Sequence, residues 1–158
     1  MAKKKKNNKS KLKVLIGFLL LFISLILIIS FMSYFLNWKV DQSNISDILD
    51  RSVKTENYLG KIGATLSHLF IYQLFGIASF IIPLILCITS YYLLLEKKLF
   101  RLVGSWTWAI IYIIWISTFT GYIQNISYIP SGVVGYEINM FLVDYIGDIG
   151  IALLLIFS

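Results

Sequence analysis

From Val14 to Leu36 the chain carries no charged side chain. A helix rises about 1.5 Å per residue, so about 20 apolar residues cross a hydrocarbon core of about 30 Å. At that depth no water is present, and the backbone must satisfy its own hydrogen bonds, which makes such a run a helix. The pattern recurs along the chain. Leu69 to Leu95 is uncharged and contains Gly76 and Pro83, and Leu102 to Tyr122 is uncharged and carries Trp106, Trp108 and Trp115. Ile149 to Ser158 is apolar again. Spans are therefore expected at about 14–36, 69–95, 102–122 and from 149 onward. Ten residues of helix cover only about 15 Å, so the fourth helix is expected to be truncated in this chain. Pro83 lacks a backbone donor and predicts a kink in the second span.

Composition excludes a soluble chain. Apolar residues make up 58% and charged residues 14%, against about 45–50% and about 25% in globular domains. Too few charges remain to coat a water-facing surface. Half of the 14 basic residues lie at the start, as Lys3, Lys4, Lys5, Lys6, Lys9, Lys11 and Lys13. Residues 1–13 read as a disordered basic tail and 14–158 as a transmembrane domain. A basic start before an apolar run also fits a signal peptide. The run is longer than a signal core, however, and Tyr34-Phe35-Leu36-Asn37-Trp38 offers no small-residue cleavage site. Tyr34 and Trp38 are expected at the headgroup level.

Between the spans, residues 39–57 form a polar loop with a short helical turn expected around Ile45–Leu49. Tyr58 to Leu69 is amphipathic, with Leu59, Ile62, Leu66 and Leu69 at helical spacing, and is expected in the membrane interface. Glu96-Lys97-Lys98-Leu99-Phe100-Arg101 makes a basic turn, and a further loop is expected around Ser127–Gly132. Gly132 to Tyr145 reads as a short amphipathic or re-entrant helix. The fold class is all-α integral membrane, a four-transmembrane-helix anchor domain with short interfacial helices in the outer loops. Short basic segments stay on the cytoplasmic side. Lys3, Lys4, Lys5, Lys6, Lys97, Lys98 and Arg101 are thus the residues expected to set topology and touch anionic lipid, with the amino terminus cytoplasmic.

Motifs for chemistry are scarce. The phosphate-loop pattern GxxxxGK[ST] does not occur. His68 is the one histidine and Cys87 the one cysteine, so histidine clusters and internal disulfides are excluded. His68 reads as a polar boundary residue and Cys87 as a small packing residue. Asp144 and Asp148 are spaced i, i+4, which would share a face on a continuous helix. They read as headgroup-level residues just before the fourth span, with an ion path as the competing reading. Gly60, Gly63 and Ala64, together with Gly147 and Gly150, are candidates for close helix packing through small residues. Gly132 and Gly135 repeat the same spacing.

Several residue strings carry a resemblance. They are Asn57-Tyr58-Leu59-Gly60-Lys61-Ile62-Gly63-Ala64, Leu66-Ser67-His68-Leu69-Phe70-Ile71-Tyr72 and Phe75-Gly76-Ile77-Ala78-Ser79-Phe80 before Pro83. Trp38-Lys39-Val40-Asp41-Gln42-Ser43 precedes them, and Gly132-Val133-Val134-Gly135-Tyr136-Glu137-Ile138-Asn139 follows, with Ile146-Gly147 and Ile149-Gly150. This ordered set resembles the amino-terminal four-span domain of FtsK/SpoIIIE-type DNA translocases, in particular its Bacteroidetes-like versions. Tyr58 stands where that family usually has Trp, and Ser131 where a Gly is common. The resemblance implies a septal membrane anchor in the bacterial inner membrane, serving cell division and chromosome partition. It implies self-association, hexameric through a motor domain absent here, and contact with division proteins. It implies no catalytic residue and no cofactor in this chain, with ATP and Mg expected for the motor and DNA touched only by that motor. A small ion-coupled transporter-like or accessory membrane protein is the alternative.

Overall fold

The computed structural model describes residues 2–43, 54–124 and 130–158. The helical turn expected around Ile45–Leu49 and the first half of the loop expected around Ser127–Gly132 lie outside the described residues. Helix α1 covers Ala2–Ser43, α2 Gly60–Ser67, α3 Ile81–Leu94, α4 Phe100–Ile123 and α5 Gly132–Phe157. A π-helical stretch, His68–Phe75, and a 3-10 stretch, Gly76–Phe80, join α2 to α3. The basic segment, read from composition as disordered, continues α1 as helix. Lysine is a good helix former, and extending an existing helix avoids the cost of nucleating one.

Contacts along α1 fix how the second segment runs. Ser90 and Leu94 meet Gly17, Pro83 meets Ser24, and Phe80 meets Phe31. The pair is antiparallel. Between Tyr58 and Phe80, however, the chain never leaves the level of Ser30–Phe35. Tyr58 bonds Ser33, Gly63 bonds Ser30, the Phe70 and Phe80 rings lie 5.8 and 5.5 Å from Phe31, and the Phe35 ring lies 5.9 Å from Phe80. A straight helix would separate Gly63 from Phe80 by roughly 25 Å. The stretch from Gly60 to Phe75 therefore lies across α1 at the level of Ser30–Phe35, and the chain turns at Gly76, where φ is +61°. The crossing that starts after this elbow, Ile77 to Leu94, is roughly 27 Å long, close to a hydrocarbon core.

This elbow revises two expectations. The second crossing begins at Ile77 and not at Leu69. The break also falls at Gly76 and not at Pro83, which sits buried in the first turn of α3. Proline is tolerated in the first turn of an α-helix, so it need not break the segment there. Leu27, Phe31, Tyr34 and Ile71 form the buried cluster at the elbow, flanked by Leu66, Phe70, Phe80, Ile82 and Leu86. Tyr34 is thus covered by protein and does not present its ring to headgroups.

At the other end of the bundle α3 stops in a Schellman motif. The Lys97 amide donates to the Tyr92 carbonyl at 2.9 Å and the Glu96 amide to the Leu93 carbonyl at 3.3 Å. The left-handed position of this motif, normally glycine, is Glu96 with φ +50°. Glu96→Gly is expected to raise stability by about 1 kcal/mol by removing the Cβ strain. A thermal midpoint in detergent that stays level or falls would mean that the Glu96 side chain compensates for its backbone.

Helix α5 is broken at Gly147, whose φ of 67° and ψ of 171° are not helical. Straight, it would hold its ends roughly 39 Å apart. Instead, Ser117 donates to the Ser131 carbonyl at 2.8 Å, and Trp115 Nε1 donates to Ser158 Oγ at 2.8 Å. Two residues on one turn of α4 thus hold both ends of α5, which bends back at Gly147. The arm from Gly132 to Ile146 corresponds to the short re-entrant helix read from sequence, and the arm from Asp148 to the segment read as the start of a fourth span.

Candidate functional site

Among the described residues no group of three or more His, Cys, Asp or Glu side chains is placed to hold a metal ion. The features that carry information are the places where polar and glycine residues bring backbones together. They form two junctions.

The first joins α1 to α2. Ser30 Oγ donates to the Gly63 carbonyl at 2.6 Å, and Asn57 Nδ2 donates to the Ser30 carbonyl at 3.1 Å. The Leu59 amide donates to Asn57 Oδ1 at 3.1 Å, and the Tyr58 amide to Ser33 Oγ at 3.0 Å. Ser30, Ser33, Asn57 and Gly63 are all buried. A methyl group on Gly63 would collide with Asn57 Oδ1 and lie 2.7 Å from Leu59 Cβ. Further along α1, Ser24 Oγ reaches the Pro83 carbonyl at 2.7 Å, and Ser90 Oγ reaches the Gly17 carbonyl at the same distance. The serine hydroxyls meet carbonyls that already serve their own helices, so the contact costs no helical bond.

The second junction interlocks two elbows. The Ile77 amide donates to the Pro130 carbonyl at 2.9 Å. Gly76 and Gly132 both have positive φ, +61° and +71°. A methyl on Gly76 would strike the Pro130 carbonyl, and one on Gly132 would strike the Leu74 carbonyl and lie 2.5 Å from the Gly76 nitrogen. Beside them, a methyl on Gly121 would lie 2.6 Å from the Gly135 carbonyl oxygen, and one on Gly135 2.5 Å from Ser117 Oγ. Ser131 Oγ donates to Gln124 Oε1 at 2.6 Å, and Asn139 Nδ2 to the Gly121 carbonyl at 3.4 Å.

The packing candidates named from sequence divide among these places. Gly63 and Ala64 lie buried in the first junction. Gly60 has φ +60° and open space where a Cβ would go, so it turns the chain into α2. Gly147 is likewise a turn with open space, and a methyl on Gly150 would meet Ile146 Cβ at 2.9 Å within the same hairpin. Asp144 and Asp148 are exposed on either side of the Gly147 break. The non-helical residue between them removes the shared face that i, i+4 spacing would give. Cys87 is half-buried in α3, and His68 stacks on Tyr72 with ring centroids 4.8 Å apart. Lys97, Lys98 and Arg101 are exposed around the Schellman turn. The side chains of Lys3, Lys4, Lys5 and Lys6 fall outside the described residues.

Sequence reasoning named none of Gly17, Ser24, Ser30, Ser33, Gly121 and Ser117 as contact residues. The signal was present in α1: in an otherwise apolar helix, Gly17, Ser24, Ser30 and Ser33 recur at six to seven residues or three. Seven-residue spacing keeps Gly17 and Ser24 on one face, which meets α3, and three-residue spacing keeps Ser30 and Ser33 on another, which meets the start of α2.

Among the described residues, four helical segments long and apolar enough to cross a membrane, Lys11–Asn37, Gly60–Leu94, Phe100–Ile123 and Gly132–Phe157, define a multi-pass helical membrane protein. Their joints are made of serine and glycine contacts. The chain belongs to the family described as the 4TM region of DNA translocase FtsK/SpoIIIE, whose model matches residues 9–158. That region is the membrane domain of such translocases and not their motor. Comparison with curated proteins and with solved structures finds no significant match.

Proposed function

We propose that this chain anchors a septal DNA translocase in the bacterial inner membrane during cell division and chromosome segregation, and helps its copies associate. The motor that would use ATP and Mg and touch DNA is not among these residues. The family match over residues 9–158 is the observation that carries the reading. Charge placement supports an amino-terminal end on the cytoplasmic side. The Gly17–Leu94 contact brings the basic start of α1 and the Lys97–Arg101 turn to one end of the bundle. Asp144 and Asp148 lie on the α5 hairpin, which starts from the elbow at the opposite end.

A fluorescent fusion of the full-length gene product is expected to gather at the division site. With this region replaced by an unrelated four-span anchor, the septal signal should be lost while membrane insertion persists. Uniform membrane fluorescence of the native fusion would overturn the septal role. Asp144→Asn with Asp148→Asn is expected to leave segregation intact. Loss of function at normal membrane levels would put the ion-coupled reading first.

A further inference from the structure

We infer that the turn between α3 and α4 is a binding site for the headgroup of an anionic phospholipid. The inference rests on the membrane class of the chain and not on its assignment to a translocase. The Schellman cap folds Lys97 back over the end of α3. Its Nζ donates to the Tyr91 hydroxyl at 2.9 Å and lies 4.3 Å from the Tyr91 ring centroid and 5.8 Å from that of Tyr92. The ammonium group is thereby held in place, with donors remaining for an anion. Lys98 and Arg101 stand exposed within the next turn of chain. The contact of Gly17 with Leu94 brings α1 alongside, so its exposed Lys11 and Lys13 lie one to two helical turns beyond that contact, on the same side. Five cations from two segments thus lie at one end of the bundle, and Glu96 is the one acid in the turn.

What selects a lipid over a soluble anion is the residues between the cations. Leu95, Leu99 and Phe100 are 55%, 40% and 88% exposed. In water that exposure would be unfavourable, whereas at a bilayer surface these side chains enter the acyl layer while the cations stay with the phosphates. Nucleic acid would satisfy the charges and leave Phe100 uncovered. A basic turn at the end of a helix pair, with the Tyr91 hydroxyl beside Lys97, is suited to a phosphodiester headgroup.

The test is native mass spectrometry of the purified chain after exchange into mixed micelles containing equal phosphatidylglycerol and phosphatidylcholine. Each basic group near the surface contributes about fivefold, so the wild type is expected to retain phosphatidylglycerol over phosphatidylcholine by roughly 100-fold through the three turn cations. Lys97→Gln with Lys98→Gln and Arg101→Gln should remove most of that preference. Lys97→Arg with Lys98→Arg should keep it, which separates charge from folding. Equal retention of the two lipids, or an unchanged preference in the neutralised variant, would overturn the inference. So would full displacement of the lipid by inorganic phosphate, which would make the site one for a soluble anion.

Discussion

Gly76→Ala is expected to lower stability by about 3–5 kcal/mol, among the largest losses a single methyl group can cause. Two effects add. The residue has φ +61°, where a Cβ strains the backbone by about 1–2 kcal/mol. The new methyl group would also strike the Pro130 carbonyl and the Ser131 backbone, neither of which is a flexible side-chain end. Relief requires the two elbows to part, which would break the bond from the Ile77 amide to Pro130. Gly132→Ala should behave alike, since it meets the Leu74 carbonyl and the Gly76 nitrogen from the other side. Gly60→Ala is the matched control. Its φ of +60° carries the same strain, but nothing lies within 4 Å of the new methyl. Only the strain of about 1–2 kcal/mol should appear there. Thermal unfolding in detergent of the three variants reads the difference. Equal losses at Gly60 and Gly76 would mean that the elbows are not in contact.

Gly63→Leu is expected to cost about 3–4 kcal/mol, through overpacking and the loss of buried hydrogen bonds. The added side chain would displace Asn57, which bonds Ser30 and caps the Leu59 amide. It would also push the Gly63 carbonyl away from Ser30 and Ser67. Lys61→Gln, two residues away on a less buried face of α2, should cost less than about 1 kcal/mol. Proteolysis or thermal unfolding of the two variants distinguishes a contact inside the protomer from one between protomers. If Gly63→Leu unfolds like the wild type but yields fewer crosslinked oligomers, Gly63 serves the interface between copies.

The spans were legible in the sequence because charge-free length has one solution in lipid. The two arms of α5 were legible for a related reason, although Gly147 was read as a packing residue and not as the turn between them. Asp144, Gly147 and Asp148 interrupt the apolar pattern where the backbone turns, so the re-entrant arm and the following segment separate on the page. The elbow at Gly76 was not. A proline advertises a break, but its effect depends on where the helix begins, and Pro83 falls in a first turn, where proline is tolerated. The true break is at a glycine whose need for a positive φ arises from a neighbour more than fifty residues away, Pro130. No local pattern encodes that. Lys3 to Lys13 misled in the opposite direction. Composition weighed their polarity, whereas the helix already nucleated by the span weighed their backbone preference.

The buried serines bear on the order in which such a domain can be built. Thr89, Thr118 and Thr120 each donate to the carbonyl four residues earlier in their own helix. A serine on a lone helix in lipid can do the same. When α1 meets its neighbour, Ser24 and Ser30 then exchange an internal acceptor for an external one, the Pro83 and Gly63 carbonyls. One bond replaces another, and no hydroxyl is ever left bare among acyl chains. Each helix is therefore admissible to the bilayer on its own, as it leaves the insertion machinery. Assembly can wait until every partner has arrived.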